Sequence, residues 1–157
     1  MSVTSQAARP ARKRPVTGVT AIIAAIAAAA VAASILDGVI AVIPHAAGIS
    51  RAFPPLQIGS FVSLTVLGVA AGAAGWSLVR SRAAAPARAL ARLVPVVLAL
   101  SFIPDVLVGV TRAFPHTTWG GIAALMVMHV AVAVTAVASY RFFLPVGPAT
   151  QTPAARR

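Results

Sequence analysis

The sequence contains no cysteine and no glutamate, and its only acidic residues are Asp37 and Asp105. Without cysteine, disulfides, thiolate metal sites and thiol catalysis are excluded. Charge of either sign is scarce: 10% of the 157 residues are charged, against about 25% in a soluble domain. No phosphate-binding loop, glycine-rich dinucleotide fingerprint, zincin motif or nucleophile elbow occurs, so no catalytic site is expected. What the chain has is hydrocarbon: 59% of its residues are apolar and its mean hydropathy is +0.93. Long apolar runs almost free of charge belong to a multi-pass membrane protein.

The net charge of +11 invites a nucleic-acid reading, but the arginines sit between apolar runs and at the termini rather than on an amphipathic surface. The expected partner is the lipid bilayer, not nucleic acid. Twelve arginines against one lysine, with abundant alanine, valine and proline, suit a GC-rich bacterial genome.

Four spans are expected, at about 16–43, 60–79, 93–110 and 119–143, packed as an all-α four-transmembrane-helix bundle. Residues 1–15 and 144–157 read as disordered basic or polar tails. The start of the first run also fits a secretory signal ending near Ala-Val-Ala-Ala-Ser at Ala30 to Ser34. The run continues to Ile43, longer than a signal's apolar core, which favours a retained helix. The third span is the shortest of the four. Eleven basic residues fall on one side of the spans and two, Arg51 and Arg112, on the other. The positive-inside rule then places both termini in the cytoplasm of a bacterial cell, in its inner membrane. Trp119, Trp76 and Tyr140 lie near span ends, where aromatic belts form.

Arg51-Ala52-Phe53-Pro54 recurs as Arg112-Ala113-Phe114-Pro115, each time just before an apolar run. At this offset Gly59 meets Gly120 and Arg80 meets Arg141. With a seven-residue insertion, 44–50, in the first loop, Asp37 falls opposite Asp105. This predicts two tandem hairpins related as a parallel repeat. The alternative is a convenient interfacial cap used twice.

Both acids and His129 fall inside apolar runs, about 10 Å and 15 Å from the outer ends of their helices. Ionisable groups at that depth have a partner or a job. Ser101, Asp105, Gly109 and Arg112 share one face of the third span, a polar stripe toward the outer surface. Pro104 cannot donate to the carbonyl of Leu100, which predicts a kink beside Asp105. The candidate polar site is therefore Asp37, Asp105, His129, Ser101 and Arg112. Its simplest role is hydrogen bonding across the bundle, with Arg112 snorkelling toward headgroups. Its sharper role is a proton or cation path, with Asp105 as carrier and His129 as relay. Three ligands on three helices with no spacing motif do not make a metal site. His45 and His116 read as loop residues, which leaves no facing histidine for haem. Gly68, Gly72 and Gly75 predict a face where helices approach closely.

A proline late in the third span, Pro104, followed by Ala-Leu-Met-Val-Met-His at Ala124 to His129, resembles a family of small actinobacterial four-helix membrane proteins without an assigned activity. The resemblance covers about Val16 to Phe143. It implies a multi-pass membrane protein and supplies no activity; the absence of any catalytic or cofactor motif is what leaves neither an enzyme nor a cofactor expected. The expected function is a non-enzymatic interaction or accessory membrane protein, as a homodimer or with another membrane partner. The alternative is a small proton- or cation-coupled transport protein using Asp105, Asp37 and His129.

Overall fold

A computed structural model describes residues 18–146. Four helices fill them: α1 Val19–Ala46, α2 Ile58–Arg82, α3 Pro86–Thr111 and α4 Trp119–Phe143, with a 3-10 turn at Pro54–Leu56 between α1 and α2. Each helix has at least 25 residues, or about 37 Å at 1.5 Å per residue. A bilayer core is about 30 Å thick. All four are long and apolar enough to cross it, so the chain is an all-helical membrane protein. The expected tails lie outside the described residues, except for 144–146. The arginine-rich end of the bundle carries Arg80, Arg82, Arg88, Arg92 and Arg141; the opposite end carries Arg51 and Arg112.

Hydropathy ends α1 and α2 three residues early and starts α3 seven residues late. α1 continues through Pro44 to Ala46, and its last turn is closed by Ala47 N–H donating to Ile43 O at 3.0 Å and Ile49 N–H to Pro44 O at 2.9 Å. α3 begins at Pro86, seven residues before its apolar run, because proline suits the first helical position and arginine is a good helix former. The span expected to be shortest therefore has 26 residues. It also runs unbroken through Pro95 and Pro104, so the kink expected at Pro104 does not interrupt it.

The bundle is held unevenly. α1 buries Ala21, Ala25, Ala29, Ala33, Asp37 and Ala41, spaced by four, a ridge of small side chains that lets α4 approach closely. Near the arginine-rich end that ridge meets Val69, Ala73, Trp76, Ala136 and Tyr140. At the other end Ala41 joins Phe53, Leu56, Phe61, Ile122, Leu125 and Met128 in a second core. α3 keeps most of its large apolar side chains exposed, among them Val96, Leu100, Ile103 and Leu107, and packs less closely on α2 than α1 does.

Two sequence expectations change here. Trp76 and Tyr140 are buried rather than interfacial: their rings meet at 5.6 Å. Trp76 Nε1 donates to Leu144 O at 3.0 Å, and the Tyr140 hydroxyl donates to Val69 O. They latch α2 to the end of α4. Trp119, by contrast, is exposed. The second change concerns glycine. A Cβ at Gly68 or Gly75 would meet nothing within 4 Å, while one at Gly72 would lie 3.0 Å from the Tyr140 hydroxyl. Close approach therefore falls at Gly72 alone of the three, and also at Gly109 against the Trp119 ring (2.8 Å) and at Gly121 against Phe53 (3.0 Å). We expect Gly109→Ala to destabilise by about 1–3 kcal/mol through overpacking, and Gly68→Ala to be neutral or slightly stabilising. Thermal unfolding in detergent checks both, and equal melting points would contradict the assignment.

Candidate functional site: a polar layer with one residue from each helix

Asp37, Thr65, Asp105 and His129 come from α1, α2, α3 and α4 in turn. Counted along their helices from the arginine-poor end, they lie about 14, 10, 9 and 15 Å deep. Helix alternation puts them in one layer: the chain goes up and down, and each polar residue sits six to ten positions from the same end. Asp37 is 1% exposed and Asp105 7%, so neither carboxyl has solvent to satisfy it.

Each acid is met by a side chain from the next helix of its own hairpin. Thr65 Oγ1 donates to Asp37 Oδ2 at 2.7 Å. His129 Nδ1 lies 3.1 Å from Asp105 Oδ2 and 2.9 Å from the carbonyl of Leu125. An imidazole nitrogen between two acceptors carries the hydrogen, which assigns it to Nδ1. That hydrogen points at Leu125. The approach to Asp105 is an ion-pair distance without hydrogen-bond alignment, so Asp105 Oδ2 has no hydrogen bond, nor does Asp37 Oδ1. Phe102 of α3 sets the imidazole plane by an edge contact, with centroids 6.2 Å apart.

His129 and Ser101 line an open-sided cavity of about 330 Å³ between α2, α3 and α4. Gly68, Gly72 and Gly75 lie on its α2 wall; Gly72 approaches Tyr140 of α4, while Gly68 and Gly75, expected to bring helices together, instead leave space. Val97 and Ser101 face them from α3. Where α1 presents alanine to its neighbours, α3 presents these larger side chains, and the side between α2 and α3 stays open.

The remaining predicted site residues divide. Ser101 Oγ donates to Leu98 O at 2.7 Å and borders the cavity rather than the acids. Arg112 is outside the layer: it caps α3 in the left-handed conformation (φ 53°) and donates to Thr117 O at 2.9 Å. The expected polar stripe therefore stops at Asp105, since a chain turning out of the helix carries Arg112 toward the loop. Thr65 was missed. Its signal was present, as a hydroxyl inside an apolar span at the depth of Asp37. Among the described residues no group of three or more metal-ligating side chains converges.

Above the layer, Phe53, Leu56 and Ile122 close the arginine-poor end. The repeated loop motif does this only once. Phe53 is fully buried, whereas its counterpart Phe114 is 41% exposed.

Fold and site together define a four-helix membrane protein crossed by a buried polar layer. No family model, curated protein or solved structure matches the chain.

Proposed function

We propose that this chain is a multi-pass protein of a bacterial inner membrane, with both termini cytoplasmic, that serves as a non-enzymatic interaction or accessory subunit. One observation carries the reading. Both buried acids face a polar side chain inside the bundle, Asp37 hydrogen-bonded by Thr65 and Asp105 with His129 3.1 Å away, and packed apolar side chains cover the layer at the arginine-poor end. Such a layer fixes which helices meet, because a misplaced polar group in hydrocarbon has no alternative partner. The clustering of Arg80, Arg82, Arg88, Arg92 and Arg141 at one end supports the orientation. The exposed apolar face of α3 offers a second copy or another membrane protein a surface.

Duplication of an acid-bearing hairpin belongs to this proposal. In each half, an acid on the first helix meets a polar side chain on the second: Asp37 with Thr65, Asp105 with His129. The copies have diverged, since the offset pairs His129 with Gly68 and Thr65 with Met126. Kinship with the small actinobacterial four-helix proteins also stands as a proposal, resting on Pro104 and the Ala124–His129 stretch.

A second reading, proton- or cation-coupled transport, is favoured by one observation: His129 borders a cavity and pairs with Asp105 behind it. One variant separates the two. Under the accessory reading, Asp105→Asn lowers the melting point in detergent, by about 1 kcal/mol of stability, and wild-type protein in proteoliposomes shows no flux coupled to a pH gradient. Wild-type flux that Asp105→Asn abolishes, with an unchanged melting point, would replace the accessory reading with the transport one.

A further inference from the structure

We propose that the cavity between α2, α3 and α4 is a binding site for one acyl chain of an anionic phospholipid, with the headgroup phosphate held at Arg141. The cavity adjoins a second, of about 560 Å³, lined toward the arginine-rich end. The two share Trp76, Leu90, Val94 and Val137 as lining. The wider cavity adds Arg141 at its rim, and the narrower one ends at Ser101 and His129. Together they make one groove with a cationic mouth and an apolar interior.

Length identifies the occupant. From Tyr140 to His129, both lining the narrower cavity, α4 advances about 16 Å. Half of a bilayer core of about 30 Å is about 15 Å. The groove thus starts at one membrane surface and ends near the midplane, the reach of one chain in one leaflet. Its walls suit a flexible chain: glycine leaves room along α2, and Leu93, Val94 and Val97 line the side of α3.

Charge identifies the headgroup. Arg80, Arg82, Arg88, Arg92 and Arg141 lie at this end, and both acidic side chains of the chain, Asp37 and Asp105, lie in the polar layer well away from them. The chain itself therefore supplies no acidic side chain to balance Arg141. Residues 147–157 add two more arginines and no acidic side chain. A basic pocket between helices at a membrane surface takes an anionic headgroup. A neutral isoprenoid would fill the groove and leave Arg141 without a counter-ion.

Native mass spectrometry tests this on the full chain released from nanodiscs of equal phosphatidylglycerol and phosphatidylcholine. The wild type should retain one phospholipid, with phosphatidylglycerol favoured about five-fold. Arg141→Gln should keep the bound lipid and lose that preference. Gly75→Leu, whose side chain enters open space in the groove, should lose the lipid while eluting as the wild type does; Gly68→Leu repeats the test deeper in the groove. Gly38→Leu, outside the groove, should retain it. Equal retention of the two lipids by the wild type, or retention by both glycine variants as in the wild type, would overturn the proposal. So would recovery of a neutral isoprenoid in place of phospholipid.

Discussion

Replacing His129 with leucine is expected to destabilise the protein by about 3 kcal/mol, or roughly 8 °C in melting temperature. The substitution removes the side chain that Asp105 faces at 3.1 Å and leaves the carboxyl, 7% exposed, among α3 and α4 with no polar side chain opposite it. Breaking a buried pair costs about 3–5 kcal/mol. The lower end applies because the His129 side chain is 39% exposed toward the cavity. The partner experiment gives the sign of the coupling. Asp105→Leu combined with His129→Leu should recover more than half of the loss, since two matched apolar groups leave nothing unpaired. Additive losses in the double-mutant cycle would show that the two residues do not interact.

The second large effect belongs to the opposite end of the bundle. Trp76→Ala should cost about 3–5 kcal/mol, the range for truncating a buried aromatic residue. The indole is 5% exposed, stacks at a tilt of 54° on Tyr140 and ties α2 to Leu144. Trp76→Phe should cost only about 1 kcal/mol, because it keeps the ring contact and loses the one hydrogen bond. Detergent melting curves for the pair separate packing from hydrogen bonding. If both variants melt with the wild type, the latch contributes nothing to stability.

Comparison of these two regions shows what the sequence could and could not disclose. The number of helices was legible, because four apolar runs admit few other solutions in a bilayer, and the fourth span was placed at its observed bounds. Helix ends were less legible, since hydropathy reports where hydrocarbon begins, while Pro86 and the arginines after it continue the helix beyond that point. Asp37, Asp105 and His129 stood out as polar groups at a common depth, and the structure does bring Asp105 and His129 together. Depth, however, says nothing of rotation about the helix axis. Arg112 shares the face of Asp105 by counting, yet it belongs to a left-handed cap and turns away. Small residues misled for a related reason. Gly68 and Gly75 permit close approach, but approach also depends on the facing helix, where Val97 stands across an open cavity, and of the three only Gly72 comes close to a neighbour, Tyr140. Trp76 and Tyr140 were read by position along the helix, and they proved to face inward. Thr65 went unnoticed because a hydroxyl in an apolar run is common, and only its level with Asp37 marks it.

The polar layer is a contact between helices, above all between α3 and α4. With only two aspartates and three histidines in the chain, selective labelling reaches it directly. Solid-state NMR on protein in bilayers, with ¹³C in the aspartate side chains and ¹⁵N in the histidine rings, would measure their dipolar coupling. A strong short-range coupling to Nδ1 of His129 is expected, consistent with an N–O separation of 3.1 Å, and it should disappear in Asp105→Leu. Absence of that coupling in the wild type, or its survival in Asp105→Leu, would show that Asp105 and His129 do not meet.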